Sequence, residues 1–198
     1  MQQLPLIVPK KTWTPSLYFL PIQQAKRICI DVETRDPDLI KLGPGVRRRG
    51  SYIVGISIAI DHGPSVYYPI RHEGGDNLDK EAVIDWCHQE FKKYKGEVVG
   101  ANLLYDLDWL SSEGVYFNPE CSFLDVQYAE ALINENRLRY NLNSLAKEYL
   151  GTAKREEELN QIASLYGVKE QPVNGLMTGY MLIVSKALFM SLTARLIL

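Results

Sequence analysis

The chain has 198 residues, 22 Lys plus Arg, 24 Asp plus Glu and a formal net charge of -2. That length suits one domain that buries a core without staples, and 46% apolar with 23% charged residues excludes collagen-like, mucin-like and wholly disordered chains. The balanced charge argues against a protein that coats nucleic acid but leaves room for an enzyme acting on it, because metal ions screen substrate phosphates locally.

Residues 1–24 are interrupted by prolines and show little period, so they read as a lead-in arm on the domain surface. The apolar run Arg27-Ile28-Cys29-Ile30 then enters Asp31-Val32-Glu33-Thr34, the pattern of a central strand with its polar end at the sheet edge. Residues 35–50, with Pro37, Pro44 and three glycines, read as a loop. Residues 51–60 and 65–70 read as strands joined by the turn Asp61-His62-Gly63-Pro64, a hairpin. A helix is predicted over 78–94, with Asp79 as a cap and Ala82, Val83, Trp86 and Phe91 on or near one face. Gly96 ends it.

A short buried strand follows at 97–101, then Asn102 and a helix over 103–112. After a loop at 114–119, residues 121–125 read as a strand and 126–133 and 142–149 as helices. Asn141 or Asn143 is the expected cap of the latter and Gly151 its stop. A polar helix is predicted over 154–166, ended by Gly167. The order predicts an α/β fold with a mixed central sheet flanked by helices, because one early strand pair is joined too tightly to be parallel.

Cys29, Cys87 and Cys121 are far apart and lack C-x-x-C spacing, so they read as buried free thiols of a reducing compartment. The first residues, MQQLPLIVPKKTW, do not read as a signal peptide. A cytoplasmic protein is expected. Residues 171–198 differ from the rest: they contain no Asp or Glu, and Lys186 and Arg195 are their charges. This stretch reads as an apolar terminal helix or as a truncated or frameshifted end. A membrane span ranks below both, since Lys186 near its middle would cost roughly 2.5–3.5 kcal/mol.

The chemistry gathers around Asp31. Asp31 and Glu33 are two apart, so on a strand they point to one side with Cα atoms roughly 6.6 Å apart. Ligands of open α/β sheets prefer that carboxyl end. Two convergent carboxylates are costly without a cation, and hard divalent ions take oxygen ligands. Asn102-Leu103-Leu104-Tyr105-Asp106 opens the next helix, and Asp106 in its first turns can point to the same sheet edge. Asp108 lies about 200° around the helix from Asp106 and cannot share that site. Asn102 reads as a helix cap or a substrate contact, and Asp125 as a cap or a carboxylate supporting the site.

These residues resemble a known family. Asp31-Val-Glu33-Thr34 is similar to the first motif of the DEDD-type 3'–5' exonucleases, and Asn102-x-x-Tyr105-Asp106 to the second. SFLDVQYAEALIN and YNLNSLAKEYLG resemble the following segment in the proofreading domain of family A DNA polymerases. The loop DPDLIKLGPGVRRRG before SYIVGISIA resembles phage members of that group. The resemblance covers roughly residues 25 to 165 and implies an RNase H-like exonuclease domain over 25–170.

It also implies two divalent metal ions, Mg²⁺ or Mn²⁺, that activate a water and steady the leaving 3' oxygen, releasing nucleoside 5'-monophosphates. Asp31, Glu33 and Asp106 match the metal carboxylates. Thr34, Asn102, Tyr105 and the loop arginines Arg47, Arg48 and Arg49 are candidate substrate contacts, and Asp125 a supporting group. Tyr105 and Leu107 are the candidates to wedge or stack the terminal base. The implied partners are a single-stranded or frayed DNA 3' end and a polymerase domain or replication partner.

One motif is missing. The family's third motif, Tyr-x-x-x-Asp or a His with a following Asp, is expected after the helix at 154–166. Tyr180 is followed four residues later by Val184, no Asp or Glu follows Glu170, and His62, His72 and His88 all come earlier. Glu156, Glu157, Glu158 and Glu170 lack a tyrosine in register. The expectation is an exonuclease domain with little or no activity. The alternatives are a non-catalytic nucleic-acid-binding or structural fragment, another RNase H-like nuclease that cuts internally, and a membrane-tethered protein.

Overall fold

The computed structural model describes residues 14–72 and 76–151. The helix expected at 154–166, the acids Glu156, Glu157, Glu158 and Glu170, and the stretch 171–198 lie outside the described residues.

The apolar run that ends in acids forms β1 (Arg27–Arg35), which lies at the centre of a five-stranded sheet. A short helical turn, α1 (Leu39–Leu42), interrupts the expected loop. The hairpin expected from its tight turn is present: β2 (Tyr52–Ile60) pairs antiparallel with β1 and with β3 (Ser65–Pro69). After α2 (Lys80–Lys93) the chain returns as β4 (Glu97–Gly100), parallel to β1. Helix α3 (Leu103–Ser112) leads back to β5 (Ser122–Asp125), parallel to β4. The order across the sheet is β3-β2-β1-β4-β5, and α4 (Val126–Ile133) and α5 (Leu142–Leu150) follow.

Alternation along the strands turns Ile28, Ile30 and Val32, with Ile56, Ile58, Tyr68 and Val98, into one apolar face. Helical spacing aligns Val83, Cys87 and Phe91 of α2, and Trp109 and Leu110 of α3 join them in the same core. Asp79 caps α2 through the Ala82 amide, Asn141 caps α5 through the Ser144 amide, and Gly151 closes α5 at a φ of 63°. All three cysteines are buried free thiols, as expected.

The lead-in differs from a surface arm over its last residues. Leu20 and Ile22 lie in the core, the Leu20 amide donates to the Tyr68 hydroxyl at 3.0 Å, and Phe19 stacks on Trp86. An irregular segment hides its apolar side chains as readily as a helix does when its backbone donors find partners. Among the described residues no helix is long and apolar enough to cross a membrane.

Candidate active site

Asp31 and Glu33 lie on one face of β1, in register with Ser57 and Gly55 of β2, and a bulge follows Glu33. β1 runs on past β4: the parallel pairing ends at Cys29 and Val99. Asp106 takes over the edge beyond. It sits in the first turn of α3, and its Oδ1 accepts the Val32 amide at 2.8 Å. The carboxylate of the second motif is thereby held against the strand that carries the first.

Asp106 is 3% exposed. Burial above all, then the charge of Asp31, pushes its carboxyl up to about 8, while the Val32 amide pulls the other way. The charge of Asp31 thus disfavours ionisation of Asp106, and a cation beside the pair would reverse that sign. The donor set is all hard oxygen, which fits Mg²⁺ or Mn²⁺. Among the described residues no three His, Cys, Asp or Glu side chains gather closely enough to enclose a metal ion. Asp108 is exposed on the other side of α3, as its spacing predicts.

Asn102 is not a side-chain cap. It stands at the head of α3 in the left-handed region, φ 61° and ψ 44°, and its side chain caps nothing. A capping side chain needs extended backbone at that position. Asp125 does the capping instead, and for two helices. Its Oδ1 accepts the Gln127 amide of α4 at 2.8 Å and its Oδ2 accepts the Leu103 amide of α3 at 2.7 Å. Asn102 is exposed beside this junction.

Tyr105 and Thr34 engage each other: their hydroxyls lie 2.6 Å apart, and the tyrosine ring packs on the core beside Trp109. Burial pushes the phenol up. Tyr105 ties α3 to the end of β1, and Leu107 packs against the core.

The arginines of the loop divide. Arg48 turns inward and pairs with Asp36 at 2.7 Å, while its other amine donates to the Gly43 carbonyl. Asp36 is buried and also accepts the Gly45 amide at 2.7 Å and the Ser51 hydroxyl at 3.3 Å. The loop is thus wound around one carboxylate, and Gly43 at φ 72° permits the turn. Arg48 is thus tied into an ion pair within the loop. Arg47 and Arg49 on either side of it are exposed.

Sequence reasoning missed a polar row beside the carboxylates. Ser57 and Tyr67 continue the cross-strand line from Asp31, and the Tyr67 hydroxyl is hydrogen-bonded to His72 Nε2. The available signal was Gly55, since a glycine inside a strand marks a close approach.

A mixed sheet with carboxylates at the end of its central strand defines an RNase H-like nuclease fold. Solved structures share it: Brucella melitensis NrnC bound to pGG aligns at a TM-score of 0.51 with 12% identity, over 88% of this chain and 74% of that one. The same protein with bound Mg²⁺ aligns at 0.50 with 15% identity, over 92% and 80%. A model of the 3'-5' exonuclease family matches residues 18–173, and the chain belongs to that family. A DNA-directed DNA polymerase of Pseudomonas phage M6 is 47% identical over 156 residues, 78% of this chain and 24% of that protein. A DNA polymerase DpoZ of Salmonella phage PMBT28 is 30% identical over 149 residues, 74% of this chain and 21% of that protein. The chain therefore spans about a quarter of the length of these curated relatives, or less.

Proposed function

We propose that the chain is the 3'–5' exonuclease domain type of a phage DNA polymerase, which takes a single-stranded or frayed DNA 3' end and hydrolyses it slowly or not at all. The observation that supports this most is the Asp106–Val32 hydrogen bond, which brings the second-motif carboxylate to the first-motif strand. Asp31, Glu33 and Asp106 would hold divalent metal. The bound ions would supply an activated water and charge neutralisation at the scissile phosphate. The chain's own groups bind and orient. Asn102 lies exposed at the helix head for a nucleotide contact, and Arg47 and Arg49 contact the DNA backbone without reading sequence. Thr34 and Tyr105 act as a brace between strand and helix. Asp125 supports the site by fixing the start of α3.

Low turnover follows from the third motif. Its carboxylate and its water-orienting residue have no match in the sequence, and a misplacement of about 1 Å costs roughly 100-fold in rate. A polymerase domain or replication partner, and the host-cell cytoplasm, are the setting this reading implies. The second reading is a binding fragment without turnover, which the missing motif favours.

The test is digestion of a 5'-labelled single-stranded oligonucleotide with Mg²⁺ or Mn²⁺, beside EDTA and Asp31→Ala controls. A ladder shortening from the 3' end and lost in both controls is the active form of the reading. Binding of the 3' end without a ladder is the inactive form. Cleavage of circular DNA would overturn both in favour of an internal nuclease.

A further inference from the structure

Tyr67, Ser57 and Asp31 form one row across β3, β2 and β1. The row is polar on a buried sheet face. Ser57 is 1% exposed, and its hydroxyl has no hydrogen-bond partner among the described residues. Buried polar groups of this kind call for a reason.

The tyrosine leans along the sheet. A Cβ added to Gly55 would fall 2.1 Å from the Tyr67 hydroxyl oxygen and 2.4 Å from its Cζ, so the tip of the ring occupies the space above Gly55. Gly55 is the register partner of Glu33. The phenol tip thus reaches past its own partner Ser57 toward the carboxylate end of β1. A side chain at position 55 would close that path.

His72 holds the tyrosine from behind. Its Nε2 meets the Tyr67 hydroxyl, and Asn77 fixes its backbone by accepting the His72 amide at 2.7 Å and donating to its carbonyl at 2.8 Å. Burial lowers the imidazole to about 4, so it is neutral near pH 7 and carries one ring proton. With that proton on Nε2, His72 donates to Tyr67, and the phenol keeps its own proton for an acceptor on the site side.

We propose that Tyr67 is a positioning residue: His72 Nε2–H donates to its hydroxyl, and the hydroxyl, passing over Gly55, donates to the Asp31–Glu33 carboxylates and sets them for a divalent cation. This rests on the reading of Asp31 and Glu33 as metal ligands. It differs from that reading in naming the group that orients them. Outer groups of this kind typically change metal affinity by 10–100-fold.

The experiment compares the full chain with Asp31→Ala and Tyr67→Phe in Mn²⁺ titrations followed by electron paramagnetic resonance, with thermal midpoints measured alongside. The nitrogen shifts of His72 are read by NMR without metal. The expected result is an Asp31-dependent Mn²⁺ site, about 10-fold weaker in a Tyr67→Phe chain whose unfolding transition shows it folded, and an Nε2-protonated His72. Equal affinity in Tyr67→Phe overturns the proposal and spares the metal site. Equal Mn²⁺ binding by the native chain and Asp31→Ala overturns the metal reading and the proposal with it, whereas an Nδ1-protonated His72 overturns the proposal alone. If Tyr67→Phe does not fold, the His72 proton decides.

Discussion

Asp106 and Val32 are joined by a 2.8 Å hydrogen bond in which a helix carboxylate takes the place a neighbouring strand would otherwise fill. The bond exists because β4 stops pairing with β1 at Cys29 and the chain turns there into α3. One oxygen satisfies a backbone donor that would be buried without a partner.

A pH dependence follows from this pair. The Asp106 carboxyl is raised from 3.8 to about 8, so between those values the folded chain holds a proton that the unfolded chain has released. Stability from this group is present below about 4 and falls as pH rises to about 8. His72, lowered from 6.5 to about 4, acts in the opposite sense over its own window, because there the unfolded chain binds the extra proton. Between 6.5 and 8 the Asp106 effect stands without that opposition. In chelator, the thermal midpoint is expected to fall across this range, and Asp106→Asn to flatten the fall. Each kcal/mol corresponds to roughly 2–4 °C in a chain of this size. A midpoint in Asp106→Asn that falls as steeply as the native one would contradict the assignment.

Asp125 is expected to cost more than an ordinary cap. It serves the first amides of both α3 and α4. Single caps are worth about 1 kcal/mol, so Asp125→Ala should lose about 2 kcal/mol in urea unfolding. Asn102→Ala removes no cap but sets an alanine at a positive φ, so it should lose about 1 kcal/mol, less than Asp125→Ala.

The loop around Asp36 gives a proteolytic prediction. Asp36→Ala removes the acceptor of Arg48, Gly45 and Ser51 at once. Trypsin should then cut after Arg47 and Arg49 faster than in the native chain, by at least about 10-fold if the loop loses 1.4 kcal/mol of closure. Equal cleavage rates would mean that the ion pair does not hold the loop.

Arg47 and Arg49 differ from Arg48 in a way that salt can read. If both exposed arginines meet phosphates, the Arg47→Ala, Arg49→Ala double variant should reduce the slope of log affinity for single-stranded DNA against log salt by about 1.4. Arg48→Ala should act on loop stability. An unchanged slope in the double variant would remove these residues from the DNA surface.

The sequence alone determined the order of the strands and of every described helix but α1, the hairpin, the cap at Asp79 and the same-face pair Asp31 and Glu33, and it narrowed the cap of α5 to Asn141 or Asn143. These depend on near neighbours: period two in strands, helical spacing, turn residues and the capping preference of short polar side chains. The family motifs were legible for the same reason, because each is a run of a few residues whose spacing survives without the fold. What each polar side chain does was decided only in three dimensions. Asp125 reaches Leu103 from 22 residues away, Asp106 reaches Val32 from 74, and Arg48 turns inward because Asp36 is buried at the heart of its loop. Asn102 lost its expected capping role to a backbone angle that its own letter does not specify. Tyr67 reads as an ordinary strand residue until the sheet register sets it over Gly55. Hydrogen bonds between distant segments depend on where the sheet brings their ends, and the register and crossover that fix this belong to the whole packed chain.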